Sequence, residues 1–349
     1  MDLQDMVEAI RAAQATRTPL RIRGGGSKDF YGASLAGEVL DVGGYRGIVA
    51  YEPTELYITA KGGTPLAEVE AALAERGQML AFEPPRLGTA TVGGCVAAGL
   101  SGPRRMQAGG VRDFVLGVGL IDGWGEMLRF GGQVMKNVAG YDVSRFLAGS
   151  LGTLGVLTEV TLKVLPRPVA ETTRLFECSA EESVHWLNRW GGQPVPISAS
   201  FWHGGQLWVR LSGAASAVEA AVQRLGGSPT VDAEKHWESV REQTHPAFAG
   251  PILWRLALPS SAADPGLDDL RAIEWGGALR WYAGDLAAIR GAAARLGGHA
   301  VLYRAPESLR LREGCFTDLN PALLALHRRL KKAFDPQGIL NPGRLYAEF

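Results

Sequence analysis

Cysteine is scarce. Its three residues, Cys95, Cys178 and Cys315, are odd in number and far apart, with no CxxC pair. That pattern excludes a disulfide framework and a cysteine-held zinc or iron–sulfur cluster, and it suits reduced thiols in a cytoplasmic protein. Net charge is also missing, since 36 Lys plus Arg balance 36 Asp plus Glu. No global field therefore draws nucleic acid or anionic lipid. No apolar run is long enough to span a bilayer, and the opening MDLQDMVEAIRAA lacks the basic-then-apolar form of a signal peptide. The six histidines (185, 203, 236, 245, 299 and 327) show no HxxxH spacing, so no metal site is expected.

Glycine, by contrast, is abundant, with 46 in 349 residues. It is dense over 84–166, at Gly88, Gly93, Gly94, Gly99 and Gly102, between small residues such as Thr89, Thr91 and Ser101. Gly149, Gly152 and Gly155 then precede an alternating run over 156–165 that reads as a strand. Bare backbone of this kind suits close approach by a flat or anionic ligand, or by another stretch of main chain. Apolar residues interleave at strand and helix periods, which argues against a linker and for a bound cofactor. Earlier, the strand 20–23 opens into Gly24, Gly25, Gly26, Ser27 and Lys28. A nest for phosphate and a tight turn explain that run about equally well. It is neither GxGxxG nor a P-loop.

The order of elements predicts two units and a tail. Residues 3–13 read as an amphipathic helix, followed by strands at 20–23, 39–42 and 56–60, and by a helix with Thr64 as N-cap and Pro65 at its first position. Strands at 115–121 and 126–130 flank a hairpin turn, and 141–148 forms a short helix. Pro166 and Pro168 mark a boundary. Beyond it a Ser179/Glu182 capping box, a Gly204-Gly205 hairpin and a helix capped by Asp285 predict β-α-β-β-α and β-β-α-β modules of an antiparallel sheet. Arg328, Arg329, Lys331 and Lys332 near the end of a helix over 322–334 read as a solvated helix terminus. The expected division is 1–168, 169–310 and 311–349.

Several strings occur in a telling order: GGGS after a strand, PPRLGTATVGG, VRDFVLGV, KNVAGYD, GSLGTLGVLTEVTLK and FDPQGILNPGRL. Together they resemble flavoproteins of the vanillyl-alcohol oxidase, or p-cresol methylhydroxylase (PCMH), type. The strings GGGSKDFYG, SGPRR, VRDFVLG and GGQVMKNVAGYDVSRF are similar to the FAD-binding subunits of bacterial glycolate oxidases. The resemblance covers the first half and the last dozen residues, whereas 169–310 matches in element order.

The resemblance implies an α+β fold: a bipartite PCMH-type FAD-binding domain of two α/β subdomains, under an antiparallel ferredoxin-like α+β cap. It implies that Gly24, Gly25, Gly26 and Ser27 cradle the pyrophosphate, continued by Gly88, Thr91, Gly93 and Gly94. Ser101, Gly102, Gly110 and Asp113 would line the groove. Gly152, Gly155 and Val156 would face the adenine, and Asn341 would return from the C-terminus. Lys136 and Asn137 would place a cation near the flavin. Ser27 and Lys28 stand where some relatives tether flavin through His, so the FAD is expected to be non-covalent.

The implied partners are a catalytic FAD subunit that oxidises glycolate, a small 2-hydroxy acid, and an iron–sulfur subunit that takes the electrons. Membrane association would then come only through those partners. Two rivals stand beside this reading: a self-sufficient FAD oxidoreductase of a small hydroxy acid, and a non-catalytic assembly subunit with a degenerate flavin site. Among the cap residues, Trp202, Arg210, Arg255, Arg280, Trp281 and Arg304 can face a flavin or pack across the sheet.

Overall fold

The computed structural model describes residues 1–132, 142–284 and 287–348. The Asp285 cap and the Lys136–Asn137 pair lie outside them. The helix Leu3–Thr16 buries Met6, Val7, Ile10 and Ala13 on one face, and Asp2 caps it in a box with Asp5. This helix covers a parallel pair of strands, Leu20–Arg23 and Glu38–Asp41, in a small core completed from the C-terminus by Ile339 and Leu340.

A second core surrounds an antiparallel five-stranded sheet in the order Ile48–Glu52, Tyr57–Lys61, Val156–Lys163, Val115–Ile121, Met127–Gly131. The helices Leu66–Ala74 and Val92–Ala98 pack their apolar faces into it. Each fully buried Leu or Phe side chain there contributes on the order of 2 kcal/mol by leaving water.

The cap is one antiparallel sheet of eight strands among the described residues, running Ser228–Pro229, Ala170–Glu177, Gln206–Gly213, Ile197–His203, Leu270–Glu274, Leu279–Tyr282, Leu253–Ala257, His299–Arg304. The Gly204-Gly205 turn joins His203 to Gln206 as expected, with φ of 56° and 86°, the left-handed pair that a two-residue hairpin needs. Ser179 and Glu182 do form their capping box.

Several expectations need correction. The strand Ile48–Glu52 is absent from the sequence reading because a tyrosine, an alanine and flanking charges mask its alternation. Leu270–Glu274 and the helices Ala233–Arg241 and Glu307–Glu313 were missed as well. Thr64 does not cap the following helix. Its hydroxyl bonds both the N–H and the carbonyl of Gly47, at 2.9 and 3.1 Å, and Pro65 takes the N-cap place.

Lys331 is not solvated. It is buried, and its ammonium donates to the carbonyls of Thr153 and Leu340 and to the Asp335 carboxylate, each at 2.7 Å. Burial pulls this lysine's pKa down, and Asp335 pulls it back up. The residue thus ties the last helix to the tail instead of facing water.

Candidate functional site

A cleft opens between the two small cores. Its walls are Gly24 to Asp29 from the first unit, Thr91, Gly94, Ala97 and Ala98 from the second, and Leu151, Asn341 and Arg344. The loop that follows the strand Leu20–Arg23 is asymmetric. On its carbonyl side, Gly25 accepts from the Thr89 hydroxyl at 2.7 Å, Gly26 from the Asp29 amide, and Lys28 from the Tyr31 amide. On its amide side, no N–H from Gly24 to Lys28 donates to a carbonyl among the described residues. A run of main-chain N–H groups turned away from the protein is an anion nest.

The glycines leave no room for anything larger. A Cβ on Gly24 would lie 2.5 Å from Thr91 Oγ1, and one on Gly25 only 1.6 Å from the Thr89 carbonyl oxygen. Gly26 has φ of 69° and backs onto the Arg23 guanidinium. Asn341 locks the C-terminal wall: its Oδ1 accepts from Ile22 N at 2.7 Å and its Nδ2 donates to the Leu151 carbonyl at 2.6 Å. The cleft carries Arg21, Arg23, Lys28 and Arg344 against one acid, Asp29, which Arg21 and Arg23 already engage. Burial draws the Lys28 pKa down. A site with excess cation and bare amides suits a diphosphate, so a dinucleotide fits these residues.

Other expected residues stand apart from this wall. Gly93 packs on Gly62, its amide donating to the Gly62 carbonyl. Gly102 lies against the Glu83 carbonyl and Gly155 against that of Ile121. Val156 is a buried sheet residue paired with Ile121. Gly152 adjoins the Asn341 side chain, and Gly88 has open space around it. Asp113 accepts from the Gly110 amide at 2.9 Å and closes its own turn, and Ser101 Oγ accepts from Val111 N at 3.0 Å, tying its loop to the helix Val111–Phe114.

A second recess, of about 20 Å³, lies where Ser101 and Gly102 meet the cap at Gln243, Arg255, Glu274, Trp275, Trp281 and Tyr303. Trp275 Nε1 donates to the Gly102 carbonyl at 3.0 Å, and the Arg105 and Arg255 guanidiniums lie 4.5 and 4.8 Å from the centre of its ring. Burial pushes the Glu274 carboxyl up to about 7, although it accepts from Trp281 Nε1 at 2.7 Å. Tyr303 Oη and Gln243 Oε1 are both buried in this recess, and Gln243 acts on the Tyr303 hydroxyl. Outside glycine, Leu151 and Asn341 in the cleft, and Gln243 and Trp275 in the recess, have positive φ of 44° to 56°. Strain of this kind gathers where geometry is over-determined.

The remaining cap candidates are packing residues. Arg210 binds Glu83, Arg280 the Ala263 carbonyl, Arg304 the Phe248 carbonyl and Trp202 that of Cys178. His203 bonds the Arg271 carbonyl at 2.6 Å. No group of three or more metal-ligating side chains occurs among the described residues.

Fold and cleft together define an FAD-linked oxidoreductase of the PCMH type. The family described as FAD binding domain matches residues 2–131, and the C-terminal domain of FAD linked oxidases matches 315–345. The solved structure of p-cresol methylhydroxylase with substrate bound superposes with a TM-score of 0.72 at 15% identity, covering 98% of this chain and 87% of that one. Alkyldihydroxyacetonephosphate synthase gives a TM-score of 0.67 at 14% identity, over 97% of this chain and 74% of that one.

The glycolate oxidase subunit GlcE of Escherichia coli (strain K12) is 48% identical over 349 residues, 99% of this chain and 97% of that one. The chain belongs to the GlcE family of glycolate oxidase subunits. The glycolate oxidase subunit GlcD of Bacillus subtilis (strain 168) is 31% identical over 161 residues, 46% of this chain and 34% of that one. No helix among the described residues is long and apolar enough to cross a membrane.

Proposed function

We propose that this chain is the FAD-carrying relay subunit of a complex that oxidises glycolate to glyoxylate. A partner flavoprotein removes the two electrons and two protons from glycolate, and an iron–sulfur partner receives the electrons. FAD bound here would supply the step between them, accepting a pair and releasing single electrons. The observation that carries the reading is the loop itself, with the carbonyls of Gly25, Gly26 and Lys28 tied to protein and no N–H from Gly24 to Lys28 donating to a carbonyl among the described residues.

These amides, with Thr91, Gly94 and Asn341, hold the diphosphate. Gly152 adjoins Asn341 at the edge of this wall, whereas Gly88, Gly93, Ser101, Gly102, Gly110, Asp113, Gly155 and Val156 belong to the framework around it, and the resemblance assigns Lys136 and Asn137 to the flavin side. The division 1–168, 169–310 and 311–349 assigns the cofactor to the first and last parts and the cover to the middle. Lys28 and Ser27 offer no flavin-linking imidazole, and burial pushes the Cys95 thiol up to about 11, so it is a poor nucleophile for a flavin link. The cofactor is therefore non-covalent. The protein works at the cytoplasmic side, with partners providing any membrane contact.

The absorbance spectrum of the purified chain should show flavin, and acid precipitation should release it all to the supernatant. A colourless protein would sink the cofactor assignment, and yellow pellets would sink its non-covalent form. Rapid bleaching by glycolate with no partner present would remove the relay.

A further inference from the structure

We infer that the helix Pro321–Phe334 and the groove beside it form the docking face for a partner subunit that presents an apolar ridge flanked by carboxylates; the inference rests on the relay reading above. Of the 14 residues in this helix, Lys331 alone is buried. Leu323, Leu326 and Leu330 recur three and four positions apart and so share one stripe. Leu323 and Leu326 are 45% and 42% exposed. Leu330 lines a groove of about 250 Å³ together with Ser150, Thr153, Leu154, Leu345 and Phe146, the last 40% exposed. Single leucines on a surface need no explanation, but a stripe continuous with a groove marks a contact site.

Charge selects the occupant. Arg328, Arg329 and Lys332 are exposed, and none has an ion pair among the described residues. They remain uncompensated in a chain whose 36 basic residues are balanced by 36 acidic ones. Their spacing puts them on the side of the helix away from the leucine stripe. A partner that covers the leucines and reaches round the helix meets these cations with carboxylates. A second copy of this chain is disfavoured, since a two-fold contact through the helix would set the cationic row against itself. A bilayer is disfavoured because the stripe runs into a groove, which a protruding side chain fills and a planar surface does not. The groove also adjoins the cofactor site. Ser150 and Thr153 line the groove, and Leu151 between them lines the cleft. From the same helix Lys331 holds the carbonyls of Thr153 and Leu340 at 2.7 Å each, and Leu340 precedes Asn341 of the cleft wall. A partner seated here has one segment of chain between it and the dinucleotide, a separation that suits electron exchange.

The test titrates the purified, FAD-loaded full chain with the glycolate-oxidising flavoprotein and with the iron–sulfur subunit, by biolayer interferometry. Leu326→Asp should weaken binding of one of them about tenfold or more. A triple variant, Arg328→Glu with Arg329→Glu and Lys332→Glu, should weaken the same subunit and remove the salt dependence of its binding. All four positions are exposed, so flavin absorbance and the unfolding midpoint should stay at wild-type values, which separates docking from misfolding. Variants that bind both subunits as wild type does would overturn the inference. So would a wild-type dimer in sedimentation, or wild-type binding to phosphatidylglycerol vesicles, that Leu326→Asp abolishes while both subunits stay bound. Flavin-loaded variants that keep their partners defeat the docking face alone. A colourless chain whose partner binding is still lost on Leu326→Asp defeats the relay reading alone, and wild type that binds neither subunit defeats both.

Discussion

The cleft and the cap junction solve opposite problems. In the cleft the main chain does the recognising: side chains are pared to glycine, carbonyls are tied back, and amides are left open. At the junction the charged groups around Glu83 and Glu242 already have protein partners. Glu83 is the hub, receiving Arg210 Nη2 at 2.8 and 2.9 Å and the Arg104 amide at 2.8 Å. Arg104 also reaches Glu171 at 2.7 Å. Burial alone would raise the Glu83 carboxyl, but Arg210 and Arg104 override it and hold it below the usual range. Glu242 adds a second clasp, accepting from the Arg86 and Leu87 amides at 3.1 and 2.7 Å. An open polar surface awaits a ligand, whereas a satisfied one holds two domains together.

That contrast makes the two regions separable by mutation. The largest effect is expected from Gly25→Asp, whose Cβ would sit 1.6 Å from the Thr89 carbonyl oxygen and whose carboxylate would oppose phosphate. It should lower FAD affinity about a thousandfold or more, roughly 4 kcal/mol, read as flavin absorbance retained after gel filtration. Full occupancy in this variant would place the dinucleotide elsewhere.

Glu83→Gln should do the reverse, removing about 3 kcal/mol of stability by leaving Arg104 and Arg210 underpaired, with flavin occupancy kept in the folded fraction. Urea denaturation followed by tryptophan fluorescence measures it. An unchanged midpoint would show that the clasp is idle.

The cap should also carry the acid sensitivity. Burial holds His236 down to about 3, where it stacks on Trp208 at 3.8 Å, and holds His245 down to about 4. Their ordinary value is 6.5, so below that pH the unfolded chain binds protons that the folded chain refuses. Stability is full above pH 6.5 and is lost as pH falls toward 4. Between pH 7 and 5 the loss is about 2 kcal/mol from His236, and less from His245, which is half-buried and partly screened. His236→Phe should flatten that slope in pH-dependent unfolding, and an equally steep slope would contradict the assignment. Smallest of all, Ser179→Ala should cost the cap about 1 kcal/mol by deleting the 3.2 Å bond from the Glu182 amide, with FAD binding untouched.

Much of this molecule was legible before any coordinates. The strand Leu20–Arg23, the Gly204-Gly205 hairpin and the Ser179/Glu182 box rest on local chemistry, and local chemistry is written in adjacent residues. The glycine runs marked the cofactor half for the same reason. What they could not tell was which glycine serves a ligand and which serves a neighbouring strand. Gly25 and Gly94 line the cleft, but Gly93 and Gly155 are small because main chain crosses them at Gly62 and Ile121. Arg255 looked the same as Arg280 and Arg304, three arginines on cap strands, until the sheet put one in the recess and two on carbonyls.

Sequence by itself determined the family, the glycine loop and most elements of the sheets, since each depends on residue type and on spacing along one strand or helix. Tertiary structure alone decided that Lys331 is buried, that Arg310 and Arg344 grip the loop from about 300 residues away, and that Glu83 joins the two domains. Those roles come from partners brought together by folding, and a charged side chain reads the same in sequence whether water or a carbonyl will receive it.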